Sequence, residues 1–157
     1  MAFTSIELKF ADGDYMFALP LPQILELERI RGAGILEIYG RLMEGWFVSG
    51  EGVEFGVPHA GKAYVLDIFE LIRLALIGGA KGMVNGQEVA VSAIRARELV
   101  EAYCHPAPIV ESWKIAKAAA FALVEGYDKA EKKSLEPIKD PVPAASTKGK
   151  SSRTARG

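Results

Sequence analysis

Two histidines, one cysteine and twenty carboxylates are the groups from which this chain could build a reaction. Cys104 and His105 are neighbours. A thiolate nucleophile needs its base within hydrogen-bond reach, a geometry usually supplied from another part of the fold. Neighbours at a helix end point apart, so the pair reads as a small buried cysteine and a helix-terminal histidine. No two Cys or His stand at zinc-ligand spacing. Asp12-Gly13-Asp14 offers two carboxylates, but the later ligands of a calcium loop are missing, and the segment reads as a hairpin turn. Gly32-Ala33-Gly34 is too short for a phosphate loop and lacks its Lys-Ser/Thr, while the glycines from Gly78 to Gly82 follow a helix rather than a strand. Asp67 and Glu70 lie one helical turn apart, a spacing that can serve acid–base chemistry. With Arg73 three residues on, they read more simply as a solvated or salt-bridged helix face. No catalytic residue, cofactor-binding residue or metal ligand is assigned, and no enzyme is expected.

Binding offers more. Trp46, Phe47 and Phe55 sit in a glycine-rich segment, and aromatic residues are enriched as interface anchors. They are the candidate partner-binding residues; the other reading is that they cover the core. The Lys/Arg-rich end could attract nucleic acid electrostatically. It has no interleaved aromatics and the rest of the chain is acidic, so a solvated tail, or one that contacts the acidic body or a protein partner, is the better reading. Residues 92–127 are helix–turn–helix only loosely. The break His105-Pro106-Ala107-Pro108 is not the usual turn, and Arg95 and Arg97 alone make no basic face.

The elements that must position these residues follow from periodicity. Residues 5–10 alternate, with Ile6, Leu8 and Phe10 on one face; Tyr15, Phe17 and Leu19 repeat the pattern after Ala11-Asp12-Gly13-Asp14. The pair predicts an antiparallel hairpin, its turn relying on Gly13 for positive φ. A lone hairpin is marginal in water, so it must lie on helices or gain another strand. Pro22 opens a helix that runs to Arg31 and stops at Gly32. Ile35, Ile38, Tyr39, Leu42 and Met43 mark a second, amphipathic helix. Residues 46–63 read either as two short strands around Ser49-Gly50-Glu51-Gly52 or as a long loop. Residues 64–77 are apolar around most of a helix and predict a central one. Asn85-Gly86 signals a tight loop or a small hairpin. Ser92 is a good N-cap for a helix reaching Cys104. The last helix carries an apolar stripe of Ile109, Trp113, Ala116, Ala120, Val124 and Tyr127 and should close the core. The fold class is therefore α+β: an N-terminal β-hairpin followed by a bundle of about five helices.

At 157 residues the chain suits one domain. Its net charge of −1 conceals a division. Residues 1–128, read as the compact body, hold 11 Lys/Arg against 17 Asp/Glu; residues 129–157 hold 8 against 3. Only 7 of those last 29 residues are apolar, too few to offset the entropy of ordering, and a basic, flexible extension is expected there. One cysteine excludes an internal disulfide and fits a reducing compartment. The most apolar run, residues 64–80, contains Asp67, Glu70 and Arg73, which argues against a membrane span; the N-terminal residues show no secretory signal.

The order of features resembles a known family. A strand reading Glu7-Leu8-Lys9-Phe10-Ala11-Asp12-Gly13-Asp14-Tyr15 leads through proline to Ile24-Leu25-Glu26-Leu27-Glu28. The break Gly32-Ala33-Gly34-Ile35 follows, and then the helix from Asp67 to Gly78-Gly79. This is similar to small proteins encoded near tail genes in gene transfer agents and siphophage-like prophages, described as tail assembly chaperones and sometimes labelled tail tube proteins. The resemblance covers about residues 4–127; the segment 46–63 and the end after 128 look like additions. It implies a non-enzymatic protein in the cytoplasm of the bacterial host, free or as a homo-oligomer. Its implied partners are the tape-measure protein and tail tube subunits, with no small-molecule substrate, cofactor, membrane or nucleic acid. The alternative it leaves open is a structural tail tube or tail-completion subunit.

Overall fold

The computed structural model describes residues 2–126 and Asp128. The extension expected at 129–157, and Tyr127 of the last apolar stripe, lie outside the described residues.

Strands β1 (Ile6–Phe10) and β2 (Gly13–Phe17) pair antiparallel, with Ile6 opposite Phe17 and Leu8 opposite Tyr15. Alternation puts Ile6, Leu8, Phe10, Tyr15 and Phe17 on one buried face. The positive φ of this turn belongs to Ala11 (φ 55), not to Gly13 as the sequence suggests. Gly13 is needed for a different reason: a methyl group there would overlap the carbonyl oxygen of Met83 on a neighbouring strand. That neighbour is the second strand pair. β5 (Lys81–Val84) and β6 (Gln87–Ala90) form a small hairpin around Asn85 (φ 53) and Gly86 (φ 79). Tyr15 pairs with Gly82, which extends the N-terminal hairpin to a four-stranded sheet in the order β1-β2-β5-β6.

Of five helices, the third and fifth pack on this sheet and the others pack on them, so the expected α+β class is what the chain forms. α1 (Leu21–Arg31) starts on Pro20 and Pro22 and ends on Gly32 at φ 65, the left-handed cap that glycine adopts without strain. α2 (Ile35–Met43) buries Ile38 and Leu42. α3 (Val65–Gly79) packs on β2, α1, α4 and α5. α4 (Ala93–Tyr103) is capped by Ser92, whose hydroxyl accepts from Arg95 N–H at 3.1 Å. α5 (Ile109–Val124) is buried on nearly every side from Ser112 to Ala120. It does not merely close the core: α3 and α5 share its centre. The small side chains of Ala116, Ala118, Ala119 and Ala120 let neighbouring elements approach from several directions.

Residues 46–63 take the two-strand form: β3 (Trp46–Val48) and β4 (Glu54–Gly56) make a separate antiparallel hairpin, followed by a 3₁₀ turn at Pro58–Ala60. This hairpin leaves the body between α2 and α3 and carries the candidate site.

Candidate functional site

Register divides the β3–β4 hairpin into two faces. Trp46 is opposite Gly56 and Val48 opposite Glu54; between them Phe47 faces Phe55. Successive side chains on a strand point to opposite faces, so Trp46, Gly56, Glu54 and the exposed Val48 share one face and Phe47 and Phe55 the other.

The Trp46 face is fixed to α5. The Trp46 and Trp113 rings lie 4.9 Å apart, and Trp113 Nε1 donates to the Leu42 carbonyl at 2.9 Å, so the aromatic pair is tied to α2 as well. Gly45, at φ 98, brings the backbone against Gly61 and the Trp113 ring, where no side chain would fit. Lys117, only 3% exposed, ion-pairs with Glu54 of β4 and lies 4.6 Å from the centre of the Trp46 ring. A buried ammonium is tolerated because a carboxylate and an aromatic face both stabilise its charge. Trp46 Nε1 is buried without a hydrogen-bond partner among the described residues.

The other face is open. Phe47 is 48% exposed and Phe55 45%, their ring centres 5.9 Å apart. Val53, nearer the tip, is also exposed. The tip, Ser49 to Val53, is ordered by its own bonds: Ser49 Oγ accepts from the N–H groups of Glu51 and Val53, each at 3.2 Å, and Gly52 takes φ 83. At the hairpin's base lies a cleft of about 140 Å³ lined by Pro58, Gly61, Ala63, Ile68, Ile109, Val110 and Trp113. Gly61 and Trp113 belong both to this cleft and to the hairpin's seat, so the cleft lies beside the inner, Trp46 face.

Beside them stands a charged cluster at the start of α3. Asp67 is fully buried. It accepts from Arg31 Nε at 2.8 Å, from Arg41 Nε at 2.8 Å and Nη2 at 2.7 Å, and from the Tyr64 N–H at 2.8 Å. Both guanidinium groups also lie over the Tyr64 ring, at 5.0 and 5.7 Å. Burial pushes the Asp67 carboxyl up, but the hydrogen bonds from Arg41, Arg31 and Tyr64 outweigh it and hold the group below the usual carboxylate value. The cluster fastens α1 and α2 to α3, and both oxygens of the Asp67 carboxylate are satisfied within it.

The structure therefore separates the three aromatic candidates. Phe47 and Phe55 form one exposed pair, whereas Trp46 faces inward as their anchor. The expected polar stripe of α3 also divides. Glu70 and Arg73 ion-pair at 2.5 Å near the surface, but Asp67 turns into the body because its partners arrive from helices 26 and 36 residues away in sequence. Cys104 is buried, which raises its thiol pKa, and His105 is exposed. Among the described residues no three His, Cys, Asp or Glu are grouped to hold a metal ion. Sequence reasoning missed Lys117 and Glu54. The one available signal was a lysine interrupting the alanine-rich run one turn after Trp113. Compared with known proteins, the chain matches no family model, no curated protein and no solved structure.

Proposed function

We propose that this protein is a phage or prophage tail assembly chaperone, a non-enzymatic protein that covers apolar helical segments of the tape-measure protein until tail tube subunits assemble around it. The observation that carries the reading is the Phe47–Phe55 pair: two half-exposed aromatic rings on a hairpin whose opposite face is fixed by Trp113 and Lys117. An exposed apolar patch on a rigid support is the form a protein-docking surface takes. The resemblance of the motif order to tail assembly chaperones supplies the client. Modest affinity per site, repeated over many copies along a long client, gives avidity while leaving each copy displaceable. No helix among the described residues is long and apolar enough to cross a membrane, and the protein is proposed to act in the cytoplasm of the bacterial host.

Co-expression with the product of the longest tail gene beside its own is expected to raise that product's soluble yield and to recover both on affinity purification. The double variant Phe47→Ser/Phe55→Ser should lose the effect while folding normally. No change in yield and no co-purification with the unaltered protein refutes the proposal. Mass spectrometry of purified particles should find the protein absent. Its presence at the copy number of a tube or completion protein would assign it as a structural subunit instead.

A further inference from the structure

We propose that β1 is a dimerisation edge. It pairs antiparallel with the β1 of a second copy of this chain, about a two-fold axis at Leu8, and joins the two sheets into one. The surface is separate from the β3–β4 hairpin, so the inference does not depend on the chaperone reading. Register shows which backbone groups are free. The loop between β1 and β2 has two residues, Ala11 and Asp12, and Phe10 faces Gly13 across it. A pair that closes a two-residue loop exchanges both of its hydrogen bonds, and such pairs alternate along the ladder with pairs that exchange none. Phe10, Leu8 and Ile6 therefore bond inward to Gly13, Tyr15 and Phe17, and the N–H and C=O groups of Glu7 and Lys9 point away from β2. β1 ends the sheet, and no described residue pairs with it on that side. The strand runs over five residues without the proline or bulge that commonly blunts an exposed edge. Charges can blunt an edge too, but Glu7 and Lys9 have opposite signs. The end of α5 comes near and stops short: Gly126 lies against Ala2 and Phe3, ahead of β1, where Phe3 carries an isolated bridge.

Charge selects the occupant and the register. Only residues whose backbone groups point outward can exchange hydrogen bonds across the new ladder, which leaves Ser5, Glu7, Lys9 and Ala11. Glu7 opposite its own copy, or Lys9 opposite its own, would set like charges face to face. Further shifts pair neither charge with the other. With the axis at Leu8, Glu7 meets the second copy's Lys9, Lys9 meets its Glu7, and Ser5 meets Ala11. Lys9 is already 3.5 Å from Asp14 on β2. The row across the joined sheet then reads Asp14, Lys9 and the second copy's Glu7, with signs that alternate. Glu7 stands opposite Met16 on β2 and has no ion-pair partner among the described residues, so the second copy supplies its first. On the buried face Ile6 falls opposite Phe10, and Leu8 opposite Leu8, which continues the apolar side of the sheet with residues of the same kind. The other edge of the sheet lacks this match. By the same alternation β6 presents Glu88 and Ala90 outward, with no complementary charge.

The test is sedimentation equilibrium of the full-length protein from about 10 μM to about 1 mM, the range in which a small interface associates. The mass should rise from the 17.0 kDa of one chain toward twice that value. Glu7→Lys and Lys9→Glu should each raise the dimer dissociation constant about tenfold or more, because each sets like charges opposite one another at both symmetric places. An equimolar mixture of the two variants should recover the dimer, since each copy then supplies the sign the other lacks. A variant that had merely lost its fold would not be rescued in this way. Phe47→Ser/Phe55→Ser should leave the dimer unchanged. A monomer throughout the range overturns the inference. So does a monomer whose Glu7 and Lys9 amides are protected from hydrogen exchange, which would give the edge to the chain's own end. Charge variants that dimerise as the unaltered protein does, or a mixture that fails to recover, overturn it as well. A dimer lost on the two phenylalanine substitutions overturns it in favour of a second copy seated on the β3–β4 hairpin.

Discussion

Replacing Asp67 by Asn changes one charge and almost no volume, and it addresses the contact on which the helical layer depends. In the native protein the two carboxylate oxygens accept four hydrogen bonds of 2.7–2.8 Å. An asparagine oxygen could keep the two on one side. Its NH₂ group would then face Arg41 Nε and the Tyr64 N–H, donor against donor. Removing one member of a buried ion pair costs roughly 3–5 kcal/mol. Here the Arg31 and Arg41 side chains retain 12% and 20% exposure, so water recovers part of the loss, and the lower end of that range, about 3 kcal/mol, is expected. For a domain of this size that lowers Tm by roughly 10 °C. Urea unfolding followed by circular dichroism measures it. The pH dependence adds a second arm. The Asp67 carboxyl is held below its usual value of 3.8 in the folded state, so its stabilisation is complete above that value and fades as pH falls through the lower folded one. The gap between native protein and variant should be constant from about pH 5 to 8 and shrink below about pH 4. A gap under about 1 kcal/mol at neutral pH, or one that widens on acidification, refutes the reasoning.

Three further outcomes follow from particular contacts. A methyl group on Gly79 would overlap the Met16 carbonyl oxygen, where α3 lies directly on β2, so Gly79→Ala should cost more than about 3 kcal/mol or abolish soluble expression; Gly50→Ala, facing open space, should stay within about 0.5 kcal/mol by the same urea assay. Lys117→Met strands Glu54 and should lose about 1–2 kcal/mol, while Lys117→Met/Glu54→Gln should recover most of it; a double variant no better than the single would show that the pair is not coupled. Cys104, buried with its thiol pKa raised, should resist alkylation by iodoacetamide in the native state and react in urea; rapid native labelling would contradict its burial.

Local periodicity made much of this fold legible. The alternation of Ile6, Leu8 and Phe10 named a face, and Gly32 marked a helix end, because both are properties of adjacent residues. What it could not provide was pairing. Gly82 sits inward on β5 opposite Tyr15, but a residue without a side chain leaves no alternation to read, so the widening of the sheet to four strands was invisible. Asp67 looked like a surface residue because its spacing from Glu70 and Arg73 is that of a polar stripe, and the two arginines that reverse its burial lie on other helices. The three candidate aromatics fall on one hairpin. Which of them faces outward was decided by the register of Trp46 with Gly56, a relation fixed only when β3 meets β4.

The alanines of α5 have a consequence for how this protein can change. A helix gripped on nearly all sides by neighbours at close range has no room for added carbon atoms, and overpacking such a position costs about 1–3 kcal/mol. Sequence drift is therefore steered away from residues 112–122 and toward the hairpin, whose tip, at Gly50, borders open space. The scaffold can stay constant while the exposed face of the hairpin is rewritten a few side chains at a time.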